Sequence, residues 1–159
     1  MAFTNNVTRM LDGKRIAYTV HTYDYSEELH SATAVADAIG FPQEQVFKTL
    51  VALDTTPGQK PNLVVIPGNE TLDLKILAKS IGAKKIQMAA RAEAEKLTGL
   101  LAGGISPLDL INRGFAIYLD SRARNFPRIY ISAGERGAQI GIGVDDLVKL
   151  TRARFVDLA

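Results

Sequence analysis

The stretch of sequence from residue 46 to residue 53 reads Val-Phe-Lys-Thr-Leu-Val-Ala-Leu. Because the side chains of a strand alternate between its faces, this stretch predicts a strand that is apolar on both sides and therefore buried in a sheet. Lys48 interrupts one face, which it shares with Val46, Leu50 and Ala52. Desolvating an ammonium group is costly. Lys48 is therefore either a residue whose side chain reaches solvent at a strand end, or a functional cation in a pocket that holds an anionic or carbonyl group.

Helix and strand patterns lie on both sides of this stretch without a regular alternation. Capping residues and glycine stops indicate helices at residues 7–13, 31–40, 73–82 and 91–97 and from residue 144, with a short one after Pro42. Alternating or wholly apolar runs indicate strands at residues 16–23, 63–66, 84–88, 115–119, 128–132 and 139–142. Several strands follow one another through short turns. The sequence therefore predicts one α+β domain over residues 1–159, with a mixed and strongly curved β-sheet.

Composition and chain length exclude several classes of protein. The chain has 159 residues, of which 47% are hydrophobic and 23% charged, proportions that are typical of a globular domain. It contains no cysteine, which excludes disulfides, cysteine ligands of metals and a cysteine nucleophile. The first residues lack the pattern of a secretory signal, and no apolar run approaches the roughly 20 residues that span a bilayer. We therefore expect a cytoplasmic protein without a membrane anchor.

Familiar catalytic motifs are missing from the sequence. His21 and His30 are the only histidines, and because they lack the spacing of a metal site we expect no metal. Neither a Gly-x-Ser-x-Gly elbow nor a Walker loop occurs. What remains is catalysis by positioning and electrostatics, through lysine, backbone amides and hydroxyl groups.

Two glycine-rich segments are candidates to supply such amides. Residues 98–107 place Gly103 and Gly104 directly before Ile-Ser-Pro, and residues 132–137 form a second loop that leaves a strand. A glycine pair lets the backbone approach a ligand closely and can present the free N–H groups of an oxyanion hole. The alternative is a tight turn or a bulge between strands. Tyr23 lies on the polar face of its strand, which is either part of a site or simply exposed to solvent.

The net charge is only +2. A protein that holds nucleic acid by charge alone is usually more basic. Basic residues nevertheless form three local clusters, each of which is either a solvated surface or a contact with phosphates: Lys75, Lys79, Lys84 and Lys85; Arg122, Arg124 and Arg128; and Lys149, Arg152 and Arg154.

Five segments, in order and at compatible spacing, resemble the YbaK/EbsC family of aminoacyl-tRNA deacylases. The matching segments are residues 45–50, residues 72–75 with 82–85, residues 98–99 with 103–108, residues 129–132 with 134, and residues 136–137. Residues 21–23 and the closing residues 155–159 also resemble the branch of bacterial Cys-tRNA(Pro) deacylases. The resemblance runs from about residue 14 to the end of the chain.

This resemblance implies a mixed, barrel-like sheet surrounded by helices, related to the editing domain inserted in some bacterial prolyl-tRNA synthetases. It implies an enzyme that hydrolyses the ester between a wrong amino acid and the terminal adenosine of tRNA(Pro), without a cofactor. In the cysteine-specific branch, the substrate's own thiol attacks its carbonyl group and releases a cyclic thiolactone. The implied partners are the acceptor end of tRNA(Pro), whose phosphates would meet the basic clusters, and prolyl-tRNA synthetase.

The resemblance also implies a set of site residues. Lys48 matches the essential lysine that anchors the substrate near the scissile ester. The loop that lines the amino-acid pocket matches Gly103, Gly104, Ile105, Ser106 and Pro107. Polar positions of that pocket match Tyr23 and Ser132, and the expected substrate-binding set also includes Thr49, Gly134 and Gly137.

One position departs from the family pattern. Cysteine-specific relatives carry an acidic residue after Arg-Gly-Leu, where this chain has Arg136-Gly137-Ala138-Gln139. If that acid orients the amino group of the substrate, Gln139 weakens or alters the specificity. Removal of alanine or serine from tRNA, and binding of tRNA or a nucleotide without catalysis, are therefore the alternatives to removal of cysteine.

Overall fold

The computed structural model describes residues 3–159, so Met1 and Ala2, part of the stretch considered above for a secretory signal, lie outside the described residues. The described chain contains helices α1 Asn6–Gly13, α2 Ala32–Ile39, α3 Leu74–Ile81, α4 Arg91–Thr98 and α5 Val144–Thr151. Ser31 and Asp73 accept hydrogen bonds from first-turn amides of α2 and α3, as capping side chains do. Gly40 and Gly82 end the same helices in the left-handed conformation. The predicted capping signals are confirmed.

The strands form two sheets. They are β1 Tyr18–Thr22, β2 Phe47–Asp54, β3 Asn62–Pro67, β4 Ile86–Met88, β5 Ala116–Asp120, β6 Arg128–Ser132, β7 Ala138–Gly143 and β8 Arg154–Val156. The smaller sheet has the order β1-β7-β6 and the larger one β4-β2-β3-β5-β8, with β5 parallel to both of its neighbours. An isolated bridge between Val46 and Tyr130 joins them. The predicted α+β fold with a mixed, curved sheet is confirmed; its strands surround the core as two bridged sheets without closing into a continuous barrel.

Strand β2 is apolar on both faces, as its sequence predicts. Phe47 and Val51 belong to the main core, which includes residues of both sheets. On the other face, Ala52 and the partly buried Leu50 pack in a second cluster that contains Leu77 of α3. Alternation places Lys48 on this second face, at the end of the strand that lies nearest the bridge to the smaller sheet.

Some short elements were not predicted from the sequence. Strand β8 has three residues and pairs in parallel with β5, far away in the chain, so no local periodicity marks it. Two 3₁₀ turns, Pro107–Asp109 and Ser121–Asn125, are also too short to leave a periodic pattern. Among the described residues, no helix combines the length and the apolar character that crossing a bilayer requires.

Candidate functional site

A cavity of about 660 Å³ lies beside β2, next to the bridge between the two sheets. Its walls are β2 itself, the start of α2, the loop after β3, the start of α4, and the loop that contains Gly103. Many of the residues singled out in the sequence line it together: Tyr23, Lys48, Thr49, Gly103, Ile105, Ser132 and Gln139. Segments that are more than 100 residues apart in the chain therefore meet in one place.

The remaining expected residues surround the cavity without lining it. Ser106 is fully buried, and its hydroxyl accepts a hydrogen bond from the N–H of Leu108 at 3.2 Å in the 3₁₀ turn that Pro107 begins. The carbonyl of Gly137 accepts the N–H of Tyr23 at 2.9 Å. The N–H of Gly134 donates to the hydroxyl of Ser132 at 3.1 Å. These contacts fix the loops from which the cavity residues project.

The two neighbouring glycines of the 98–107 segment have different surroundings. The N–H of Gly104 donates to the carbonyl of Leu101 at 2.8 Å, so it is not available to a ligand. A Cβ atom at Gly104 would lie 2.9 Å from the Cα of Glu135, which explains why a glycine is needed there. The N–H of Gly103 has no hydrogen-bond partner among the described residues, and Gly103 lines the cavity. Of the pair, Gly103 is therefore the candidate donor.

Two charged side chains bind the main chain of Ala102, the residue directly before this donor. The Nε of Arg136 donates to the carbonyl of Ala102 at 2.8 Å, and its guanidinium lies 4.5 Å from the centre of the Tyr25 ring. The carboxylate of Glu95 accepts the N–H of Ala102 at 2.8 Å. Because a trans peptide is planar, a carbonyl of Ala102 held by Arg136 turns the N–H of Gly103 to the opposite side. Arg136 thereby sets the direction of the candidate donor.

Lys48 is partly buried, and its Nζ donates to the main-chain carbonyl of Gly68 at 3.3 Å. Burial lowers the pKa of the Lys48 ammonium group, and the negative charge of Glu70 acts in the opposite direction. Gly68 is required here by close packing, because a Cβ atom would lie 2.6 Å from the carbonyl oxygen of Val46 and 2.7 Å from the Cβ of Ala32. Lys48 thus lies near a strand end and also lines the cavity, and its role as a functional cation stays a prediction.

Glu70, whose charge acts on Lys48, contacts an arginine that also binds a buried carboxylate. Arg122 contacts Glu70 at 3.2 Å and also binds Asp120, with its Nε donating to Asp120 Oδ1 at 3.0 Å and its Nη2 lying 2.6 Å from Oδ2. Asp120 is completely buried. Arg122 is therefore neutralised by carboxylates, and of its cluster Arg124 lies over the ring of Phe155, 3.9 Å from the ring centre. These contacts assign Arg122 a structural role at the rim of the cavity.

Gln139 lies in the middle of a row of polar residues across the smaller sheet. It pairs with Ser132 on one side and with His21 on the other, so the three side chains share one face. The side chain of Gln139 lines the cavity, but its Oε1 is buried without a hydrogen-bond partner among the described residues. A buried polar atom without a partner is uncommon and is often found at functional positions.

Sequence reasoning missed several residues of the cavity. Asn69 and Glu70 lie in the loop after β3, and Arg91 begins α4. The Pro67-Gly68 stop after a wholly apolar strand was a signal that this loop begins at a sheet edge. No comparable signal marks Arg91, which lies on an otherwise ordinary charged helix. Among the described residues, no group of three or more His, Asp or Glu side chains is arranged to hold a metal ion.

Comparison with known proteins places this chain in a family. The family model described as "Aminoacyl-tRNA editing domain" matches residues 26–150. The chain is 37% identical over 153 residues to the Enterococcus faecalis protein named "Putative Cys-tRNA(Pro)/Cys-tRNA(Cys) deacylase EbsC", covering 96% of this chain and 92% of that protein. It is 30% identical to a proline–tRNA ligase of Shouchella clausii over 121 residues, which are 74% of this chain and 20% of the ligase.

A solved structure has the same fold. The structure titled "Crystal structure of a putative trans-editing enzyme for prolyl tRNA synthetase" superposes with a TM-score of 0.77 over 99% of this chain and 98% of the other, at 23% sequence identity. The match of the family model to most of the chain and the near-complete overlap with EbsC agree with each other. The chain belongs to the aminoacyl-tRNA editing domain family.

Proposed function

We propose that the protein is a trans-editing enzyme that deacylates mischarged Cys-tRNA(Pro). The observation that carries this proposal is the cavity itself, which is lined both by Lys48 and by Gly103, whose N–H has no hydrogen-bond partner among the described residues. The chain has no cysteine nucleophile. A site that offers hydrogen-bond donors and no strong nucleophile suits an ester that is already activated, because correct positioning supplies much of the acceleration.

Lys48 and the main-chain N–H of Gly103 have different electrostatic roles. Lys48 holds a phosphate or carbonyl oxygen at the 3′ end of the tRNA, and the N–H of Gly103 stabilises the negative charge that develops on the ester oxygen. Lys48 is already bound to the Gly68 carbonyl, so the cation is oriented before the substrate arrives. A preorganised donor is more effective than one that must reorient during the reaction.

The thiol of a cysteinyl substrate provides the nucleophile that the protein lacks. Its sulfur forms a bond to the ester carbonyl carbon, and the bond between that carbon and the ribose oxygen breaks. The proton of the thiol ends on the ribose oxygen, so the products are a cyclic thiolactone and a tRNA with free hydroxyl groups. Water then opens the thiolactone to free cysteine. Every step in this sequence is possible without a covalent enzyme intermediate.

The other residues shape the pocket for the aminoacyl group. Tyr23, Thr49, Ile105 and Ser132 contact the substrate from the walls of the cavity. Gly104, Ser106, Pro107, Gly134 and Gly137 act indirectly, since they form the turns that hold the Gly103 loop and the end of β6 in place. We assign direct contact with the substrate to the residues that line the cavity, and an indirect role to those that lie behind it.

The proposed partners are tRNA(Pro) and prolyl-tRNA synthetase. The name of EbsC and the stretch of proline–tRNA ligase that resembles this chain both support a connection with prolyl-tRNA. A net charge of only +2 suggests a weak grip on tRNA, and a synthetase that presents the tRNA would compensate for it. Full selectivity for tRNA(Pro) by the protein alone would contradict the need for this partner.

The proposal is tested by measuring amino acid release from Cys-tRNA(Pro), Ala-tRNA(Pro) and Ser-tRNA(Pro) with the wild-type protein. A thiol-dependent route predicts rapid release of cysteine, accumulation of the thiolactone when sampled early, and little release of alanine. Equal release of alanine or serine would contradict the thiol route and assign a different substrate. Salt-dependent binding of tRNA without release of any amino acid would contradict the enzymatic function.

A further inference from the structure

Strand β2 has a short open edge at the cavity, between its bridge to the smaller sheet and its pairing with β4. At one end of this opening, the Val46–Tyr130 bridge joins β2 to the smaller sheet. At the other end, the N–H of Ala89 donates to the carbonyl of Val51 at 3.0 Å, and β4 pairs with β2 from Ala52 onward. Thr49 lies midway between these two contacts and lines the cavity.

The pairing pattern of β2 settles which way the main chain of Thr49 faces. The carbonyl of Val46 accepts the N–H of Gly68, and the carbonyl of Ala52 accepts the side chain of Asn62. The main-chain N–H and C=O groups of the even-numbered residues of β2 therefore point toward β3. The carbonyl of Val51 points the opposite way, toward Ala89. Because backbone groups alternate along an antiparallel strand, the N–H and C=O of Thr49 point away from β3, into the opening.

Thr49 lies outside both the bridge at Val46 and the pairing with β4, and neither of these two groups bonds to a loop or a side chain among the described residues. Thr49 is partly buried, and main-chain groups in such a position are normally paired with the protein, with water or with a ligand. The bridge at Val46 lies on one side and the occupied carbonyl of Val51 on the other, and between them Thr49 offers one donor and one acceptor to a ligand. An aminoacyl ester carries a matching pair, the α-ammonium group as donor and the ester carbonyl as acceptor.

We propose that the aminoacyl group of the substrate pairs with Thr49 as the missing residue of a neighbouring strand would. The N–H of Thr49 donates to the ester carbonyl oxygen, and the C=O of Thr49 accepts from the α-ammonium group. This inference rests on the proposed deacylase function and names the groups that recognise the part common to all aminoacyl esters. The main chain would then give affinity, and the side chains around the cavity would give specificity, as in other cases of strand addition.

Backbone replacement at Thr49 tests this inference. The α-hydroxy analogue of threonine at position 49 exchanges the N–H for an oxygen, and we expect kcat/KM to fall by about 100-fold, as for other lost oxyanion donors. The Thr49→Val variant removes the hydroxyl and keeps the N–H, so its loss should be only a few-fold. The same backbone replacement at Thr4, an exposed residue outside the cavity, controls for the chemical change itself. A Thr49→Pro variant removes the same N–H by ordinary mutagenesis, and melting temperature reports whether it folds.

The substrate supplies a second, independent measurement. Because the C=O of Thr49 accepts from the α-ammonium group, an acyl-tRNA that retains the thiol but lacks the α-amine should show a KM at least tenfold higher. A folded α-hydroxy variant with wild-type kcat/KM, or equal KM values for the two substrates, would overturn the inference. Wild-type protein that deacylates no aminoacyl-tRNA would instead contradict the proposed function, so the two failures are distinguishable.

Discussion

The ammonium group of Lys48 is bound to the main-chain carbonyl of Gly68, 3.3 Å away, across the pair of antiparallel strands that carries the cavity. The two residues come from the same end of β2 and β3, where Lys48 pairs with Ile66. Gly68 follows β3 directly and has room for no side chain. The position of the cation thus depends on a glycine 20 residues further along the chain.

A Gly68→Ala substitution should weaken both the fold and the site. The added Cβ would overlap the Val46 carbonyl and the Ala32 side chain, and we expect a loss of about 1–3 kcal/mol in the free energy of unfolding. We also expect kcat to fall, because the carbonyl that orients Lys48 must move. Denaturant unfolding and kinetics measure the two effects. Gly13→Ala is the matched control, since no atom lies within 4 Å of its added Cβ, and a similar loss there would contradict this explanation.

Lys48 should show opposite effects on stability and on activity. Burial lowers its pKa in the folded state, so the unfolded chain binds more protons than the folded one just below the ordinary pKa of lysine, and stability should rise with pH in that window. Replacing Lys48 with Met should therefore remove this rise and raise the melting temperature at neutral pH, while abolishing deacylation. Activity of the wild type should decline as pH rises through the lowered pKa. A Lys48→Met variant that is less stable than wild type at neutral pH would argue against a desolvated cation.

Arg136 is expected to act on catalysis through the peptide that it holds. In Arg136→Met the carbonyl of Ala102 loses its donor, and the N–H of Gly103 is free to rotate away from the cavity. We expect kcat to fall by about tenfold or more with a smaller change in KM, because orientation at the reacting atoms is lost. Arg136→Lys should restore part of the activity, as it keeps a donor within reach. Equal kinetics for wild type and Arg136→Met would show that the Ala102 peptide keeps its orientation without this contact.

Substitutions at Gln139 test the effect of its buried Oε1, which has no hydrogen-bond partner among the described residues. Gln139→Met removes a buried acceptor that has no partner, and we expect stability to be retained or raised by about 1 kcal/mol, with altered selectivity among aminoacyl-tRNAs. Gln139→Glu places a carboxyl group in the same buried position, so its folded pKa should be raised. The variant should then lose stability as pH rises above about 4.3, the ordinary value for glutamate.

Gln87→Glu, on an exposed strand residue, controls for the added charge. A strongly destabilised Gln139→Met variant would mean that the Oε1 of Gln139 accepts a stabilising hydrogen bond in the folded protein. The expected effect of this oxygen on selectivity would then lose its support. If the two glutamate variants lost stability equally, burial could not be the cause of the effect at position 139.

The sequence was sufficient to identify the α+β fold, the capped helices and Lys48 as an unusual cation, because periodicity and capping are local properties. It could not show that Gly103 and not Gly104 has a free N–H, since this depends on a turn closed by Leu101. Nor could it reveal the open edge at Thr49, because β4 begins to pair with β2 only at Ala52, three residues later. The ion pair between Arg122 and Glu70 could not be predicted for the same reason, because tertiary packing brings these two residues together.

We propose that Lys48 holds the substrate in a site that removes cysteine from tRNA(Pro), and one comparison bears on this role more than any other. This role is tested most directly by release of amino acid from Cys-tRNA(Pro) and Ala-tRNA(Pro), measured in parallel for the wild type and Lys48→Ala, with melting curves to establish that both are folded. We predict that the wild type releases cysteine much faster than alanine and that Lys48→Ala loses at least about 100-fold in kcat/KM, as expected for a group that stabilises the transition state. Equal release of cysteine by the two folded proteins would contradict the role of Lys48.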